Sequence, residues 1–233
     1  MNYPGITDMA DSERLDRYAE MICQSNSMFN LTGFDGIEAI KKHLLISSLE
    51  PFSAIDVPRG TSIADLGTGA GIPGVPLSIR FKNADITMFD STLKKINFVN
   101  HALTSLEINN ARAVSGRIED FAKNPVYREK FDWVITRAMA DVYTSAELGA
   151  PLLIHGGYIY LYVSEKQSVL PEKTRSHLSE LGLSVLSENE AKMLMKKKNP
   201  GIVMKKTKET DMRFPRRIVA IKRDEEKIRK TPQ

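Results

Sequence analysis

Apolar positions recur at helical spacing over residues 11–29, where Leu15, Tyr18, Ile22 and Cys23 alternate with charges, and this predicts a helix. Asp11 or Ser12 is placed to cap it. The turn-rich stretch NLTGFDG (30–36) separates it from a second helix over 37–49, with Ile37, Ile40 and Leu44 along one face. Beyond a linker at 50–61 the pattern shifts to short apolar runs. SIADL (62–66), DITMFD (85–90), part of 111–120, FDWVITRA (131–138) and GGYIYLYV (156–163) read as strands. Between them, helices are predicted from Pro73 and Pro76 to Phe81, and over 93–106, 141–154 and 171–182. LSVLSENEAKML (183–194) and RRIVAIKR (216–223) read as late strands joined by a basic loop.

Strands that alternate with helices imply a mostly parallel sheet covered on both faces. In such a fold ligands bind beyond the carboxyl ends of the strands. Here those ends are 65–71, Asp90, 116–119 and 136–138, all polar or glycine-bearing. The expected organisation is a helical extension over 1–55, the sheet domain over 56–223 and a charged, disordered tail over 224–233.

Composition narrows the picture. The chain has 233 residues, 42% hydrophobic and 27% charged, as expected of a globular protein. Its single cysteine, Cys23, excludes an intrachain disulfide and a cysteine metal cluster, and fits a cytoplasmic protein. No run of about 18 apolar residues predicts a membrane span, and the N-terminus lacks the pattern of a signal peptide. Net charge is only +4, but 12 Lys and Arg face two acids between Lys192 and Arg223. That segment predicts contact with a polyanion or, equally, a solvated basic loop.

The candidate chemistry lies in DLGTGAGIPG (65–74), directly after the first strand. A strand, a glycine-rich turn and a helix form a nucleotide-binding signal, because glycine takes positive φ and lets backbone approach a ligand. No Lys-Ser or Lys-Thr follows, which excludes a P-loop. The dinucleotide pattern fits poorly, since Ile72 stands at its third glycine position and Gly71 comes one residue early. A G-x-G-x-G loop preceded by Asp65 suits S-adenosylmethionine, whose ammonium group Asp65 can attract. Asp90, closing the second strand, is placed to accept ribose hydroxyls, and it is equally placed as a helix cap.

With these residues in view, the chain resembles the RsmG (GidB) family, bacterial methyltransferases of guanine N7 in 16S ribosomal RNA. The resemblance rests on NLTG (30–33), KHLLISSL (42–49), DLGTGAGIPGVPLSI (65–79), DSTLKKINFV (90–99), GRIEDF (116–121), ITRAMA (135–140) and RRIVAIK (216–222). It implies a class I, Rossmann-like methyltransferase fold with a seven-stranded sheet, preceded by N-terminal helices. It also implies S-adenosylmethionine contacts at Gly67, Ile72, Ile118, Glu119 and Arg137, with Asp65, Gly69 and Asp90 in the same pocket. Lys94 and Arg117 match basic positions that meet RNA or support the site. The partner implied is 16S ribosomal RNA or the small ribosomal subunit, for a chain expected to be monomeric.

Two places depart from the family pattern. Ile46 replaces an acid, and Val163–Ser164 replaces a Lys-Gly-like pair, with Lys166 close behind. Guanine N7 has an in-plane lone pair and no proton, so the reaction needs alignment rather than a general base. His43, His101, His155 and His177 are accordingly read as structural. Phe34, Tyr143 and Tyr162 are candidates for stacking on the base, each weighed against core packing. Two other classes compete: a non-catalytic RNA- or ribosome-binding protein on the same fold, and an NAD(P)-dependent oxidoreductase, which the glycine offset disfavours.

Overall fold

A computed structural model describes residues 2–28, 30–163, 169–196 and 201–230. Helix α1 spans Met9–Asn26 and is capped by Asp8, whose carboxylate accepts from the Ala10 N–H at 3.0 Å. Asp11, one of the expected caps, instead lies within the first turn, buried and paired with Lys82 at 2.7 Å. The second helix opens as α2 (Ile37–Ile40), widens to π geometry over Lys41–Ile46, and closes as α3 (Ser47–Leu49). Neither helix is apolar enough to stand alone. Their buried faces, with Leu15, Tyr18, Ile22, Ile40, Leu45 and Leu49, join the core beneath the sheet.

The sheet comprises β1 (Ser62–Leu66), β2 (Asp85–Asp90), β3 (Ala111–Ser115), β4 (Phe131–Arg137), β5 (Leu153–Tyr162), β6 (Leu183–Val185) and β7 (Ile202–Lys206). Their spatial order is β3-β2-β1-β4-β5-β7-β6, and only β7 runs antiparallel to its neighbours. Alternation sends Ile63 to one core, and Ala64 and Leu66 to the other. Helices α4 (Gly74–Arg80) and α5 (Leu93–Ser105) pack on the first face. Helices α7 (Val142–Gly149) and α8 (Glu172–Glu180) pack on the second. The chain winds outward through β1, β2 and β3, then restarts at β4 on the other side of β1. The switch point therefore opens a crevice beyond the carboxyl ends of β1 and β4.

The last third departs from expectation. Residues 188–195 form a helix, α9 (Glu188–Met195), opened by a capping box between Ser187 and Glu190. RRIVAIKR is not a strand, because Ile218–Lys230 is helix α10, and the tail expected to be disordered from 224 is helical as far as Lys230. The seventh strand, β7, lies inside the basic segment, where a loop is expected from the sequence. Among the described residues no helix is long and apolar enough to cross a membrane.

Candidate functional site

The glycine loop leaves β1 with its polar backbone almost fully enclosed. Gly67, Gly69 and Gly71 all have positive φ, which side-chain-bearing residues adopt only at a cost. They serve different ends. A Cβ on Gly71 would run into the Tyr18 hydroxyl and Val75, so this glycine is required for packing. Gly67 and Gly69 are instead the half-exposed positions of an otherwise buried loop, and they present bare backbone to the crevice. A Cβ at Gly67 would stand 2.6 Å from Cγ of Met139, in the segment that follows β4.

Two carboxylates organise this loop. Asp65 is buried. Its Oδ2 accepts from the Thr68 hydroxyl at 2.6 Å and the Gly74 N–H at 2.9 Å, while its Oδ1 is buried with no partner. Burial, opposed by those two hydrogen bonds, pushes the carboxyl up to about 7. Asp90 accepts from the Gly69 N–H at 3.0 Å through Oδ2 and from the Thr92 N–H at 2.8 Å through Oδ1. It thus ties β2 to the loop and to the start of α5, whose N-cap is Thr92. Each of its oxygens retains a second acceptor site.

Ile72 is buried beneath the loop. Ile118 and Glu119 begin the short helix α6 (Ile118–Phe121) beyond β3, with Glu119 buried. Seven of the eight expected cofactor residues therefore lie at the ends of β1, β2 and β3. Lys94 and Arg117 are exposed at the starts of α5 and α6 on the same edge.

Arg137 is placed differently. Its guanidinium crosses to the second helix, where it donates to the carbonyls of His43 (2.5 Å) and Leu44 (3.2 Å) and to the Ser48 hydroxyl (2.8 Å). The same two carbonyls also accept from the Ser47 and Ser48 hydroxyls, at the end of the π segment. Tyr162 adds a bond from its hydroxyl to the Ser48 carbonyl at 2.6 Å. Together they fasten the N-terminal helices to the ends of β4 and β5. Ile46, at the place of the family's acid, packs against the core.

Arg137 also walls a cavity of about 920 Å³ on the far side of β4. Tyr143, Tyr160 and Tyr162 line it, together with Glu50, Asp141 and Glu225. These acids were not singled out in the sequence. They come from α7, α10 and the turn after α3, and no local motif joins them. Among the described residues the cavity wall holds no histidine. His177 is buried, stacked on Tyr143 at 4.0 Å with Nε2 3.0 Å from Glu147. Tyr143 and Tyr162 are packed into the wall, whereas Phe34 stays on the surface.

Four of the 12 cations in the basic segment have hydrogen-bond or ion-pair partners among the described residues. Lys206 is 1% exposed and donates to the Ala150 and Leu153 carbonyls. Arg213 pairs with Glu180, Arg216 with Glu147 and Asp224, and Arg217 with Asp120. Lys206 and Arg216 are thereby built into the fold, while Arg213 and Arg217 form exposed surface pairs. The expected basic positions Lys166, Lys197 and Lys198, and Ser164 of the variant pair, lie outside the described residues.

Comparison with known proteins agrees with this architecture. A family model described as rRNA small subunit methyltransferase G matches residues 11–209. The chain is 36% identical over 207 residues to ribosomal RNA small subunit methyltransferase G of Lachnoclostridium phytofermentans, covering 88% of this chain and 85% of that one. It is also 36% identical to the protein of the same name from Clostridium novyi, covering 86% and 83%. Among solved structures, a putative sarcosine dimethylglycine methyltransferase from Galdieria sulphuraria superposes with a TM-score of 0.51 at 12% identity, covering 84% of this chain and 98% of that one. That likeness is one of fold.

Proposed function

Since the chain belongs to the rRNA small subunit methyltransferase G family, we propose that it methylates guanine N7 in 16S ribosomal RNA, using S-adenosylmethionine. When bound, that cofactor supplies an electrophilic methyl group on a sulfonium. The observation that carries the reading is the unpartnered, buried Oδ1 of Asp65 beside bare, positive-φ glycines. A buried carboxylate oxygen without a partner is costly, and a ligand ammonium would satisfy it. Gly67 and Gly69 offer backbone to the rest of the cofactor, and Asp90 keeps acceptor capacity for ribose hydroxyls. Ile72, Ile118 and Glu119 complete the adenosine side.

The base enters from the cavity beyond β4, so that Arg137 and the turn at 138–140 separate the two binding regions. No residue has to remove a proton from N7. The protein's task is to hold the base in line with the methyl group and keep water out. Methylation leaves the base cationic, and Glu50, Asp141 and Glu225 in the cavity wall suit that product. Lys94 and Arg117 on the adjoining edge meet RNA phosphate or support the cofactor side. The protein acts as a monomer in the cytoplasm, on naked 16S RNA or the small subunit.

The test is mass-spectrometric mapping of N7-methylguanosine in 16S RNA from cells with and without this protein, beside methyl transfer in vitro to small subunits lacking the mark. A single site that appears only with the protein is expected. Cofactor binding with no transfer to any ribosomal RNA would reject the reading.

A further inference from the structure

The loop at 30–36 is held by one side chain. Asn26, the last residue of α1, accepts from the N–H groups of Leu31 (3.0 Å) and Thr32 (2.9 Å) and donates to the Phe34 carbonyl (3.3 Å). The Thr32 hydroxyl accepts from the Phe34 N–H at 3.2 Å. Buried Leu31 pins the start of the loop to the core. The result is a short irregular segment with a fixed shape, and at its tip the Phe34 ring is 38% exposed.

That ring lies nearly parallel to the imidazole of His43, with centroids 5.1 Å apart and planes 12° from parallel. His43 is exposed too, and Phe34 belongs to none of the hydrophobic clusters. A single exposed apolar side chain needs no explanation. A pair of planar rings, aligned in water on a braced loop, serves no packing purpose. Their position adds to this. The His43 carbonyl is held by Arg137 at 2.5 Å, and Ser47, one turn further along the same helix, lines the cavity. Lys42, beside His43, is exposed and cationic. A π surface next to a cation, at the rim of a cavity for a base, matches the chemistry of an unpaired nucleotide.

We infer that Phe34 and His43 form a stacking platform for an unpaired base of the substrate RNA, flanking the base that enters the cavity. The inference rests on the RNA methyltransferase reading and adds a substrate subsite to it. Stacking is sequence-tolerant, so the platform supplies affinity and register while the cavity selects the base. It also gives the N-terminal helices a role in substrate binding, transmitted through Arg137.

Two measurements on the full chain separate the possibilities. The first is quenching of a single-stranded RNA oligonucleotide carrying 2-aminopurine. The second is steady-state methyl transfer to small subunits lacking the mark, with S-adenosylmethionine affinity determined alongside by calorimetry. For Phe34→Ala the expected result is an oligonucleotide Kd and RNA KM raised about tenfold, with kcat and cofactor affinity close to wild type. Phe34→Trp is expected to retain both. Wild-type KM and quenching in Phe34→Ala would overturn the platform, as would an equal loss in cofactor affinity, which marks a structural role. If the wild type transfers no methyl group yet quenches the oligonucleotide in a Phe34-dependent way, the platform stands and the methylation reading falls. If it does neither, both fall.

Discussion

The two halves of the sheet are held together by different means. Around β1–β3 most polar groups of the glycine loop are satisfied from within the loop or from the end of the adjacent strand β2. Asp65 serves Thr68 and Gly74, and Asp90 serves Gly69 and Thr92. Beyond β5 the bonds are long-range and built from buried charges. Arg128 donates to the carbonyls of Phe214 (3.0 Å) and Thr210 (2.7 Å), and Lys206 to those of Ala150 and Leu153. Arg216 approaches Glu147 through its backbone N–H (2.8 Å), Nε (2.9 Å) and Nη2 (2.6 Å). The first half is thus a local device that presents backbone to a ligand. The second is a set of cross-links that gives irregular chain a fixed path, and damage there should appear in stability.

The largest effect is expected at Glu147. It is fully buried on α7, and removing it leaves Arg216 with Asp224 as its remaining carboxylate and takes a neighbour from His177. Glu147→Ala should cost about 2–3 kcal/mol, since the buried carboxylate is the charged acceptor for three Arg216 N–H groups. Denaturant unfolding measures this, and S-adenosylmethionine affinity of the remaining folded protein should hardly change. A matching loss of cofactor affinity would erase the contrast between the halves. The pH dependence has a definite sign. Burial raises the Glu147 carboxyl, but His177 and Arg216 beside it prevail and bring it down to about 2. Its stabilising contribution is therefore complete above the ordinary carboxylate range and is lost as pH falls towards 2.

The same contrast explains what the sequence disclosed. DLGTGAGIPG is readable because its acid and glycines interact within ten residues, and Asp90 because it closes the next strand of the same βαβ unit. The five parallel strands were readable for a similar reason, since each is a continuous apolar run. Helix α10 was not. Its inward positions include Ile221 and Glu225, and the acid, which accepts from the Thr144 hydroxyl, hides the helical period. RRIVAIKR without that partner looks like β-branched strand sequence. Strand β7 was hidden by Lys206, whose burial makes sense only once the Ala150 and Leu153 carbonyls are in place. The α9 capping box, with Ser187 and Glu190 three residues apart, was visible and missed. Arg137 is legible as a polar residue at a strand end, but its partners His43, Leu44 and Ser48 lie 89–94 residues away in sequence, where spacing is silent.

An intermediate effect is expected at Asp65, and it probes the local half alone. The apo fold keeps a proton on this carboxyl up to about 7, whereas the unfolded chain releases it in the ordinary carboxylate range. Apo stability should therefore fall as pH rises between those values, and level off above 7. A cationic ligand group favours the ionised form, so affinity for S-adenosylmethionine should rise roughly eightfold between pH 6 and 7.5. In Asp65→Asn that rise should vanish, and Kd at pH 7.5 should be about tenfold weaker, about 1.4 kcal/mol. Titration calorimetry across the window tests this. A wild-type affinity without the rise would mean that Asp65 only staples the loop through Thr68 and Gly74.

The smallest effect bears on whether the glycine loop is as self-contained as the contrast suggests. One strap reaches it from far away in sequence. The buried hydroxyl of Tyr18, on α1, donates to the Ala70 carbonyl, and it sits where a side chain on Gly71 would otherwise be. Tyr18→Phe keeps the ring and its packing near Phe98 but leaves that carbonyl without its donor, a loss of about 1 kcal/mol. If the strap sets the loop's shape, the loss appears in S-adenosylmethionine binding as a Kd about fivefold weaker, with RNA KM unchanged. If the two carboxylates suffice, the same loss appears only in unfolding, and Kd stays at wild type. The first outcome would make the N-terminal helices part of the cofactor site as well as the substrate site. Burial favours it, because Ala70 is a buried member of the loop that presents Gly67 and Gly69 to the crevice, so its carbonyl reaches a new partner by moving that loop.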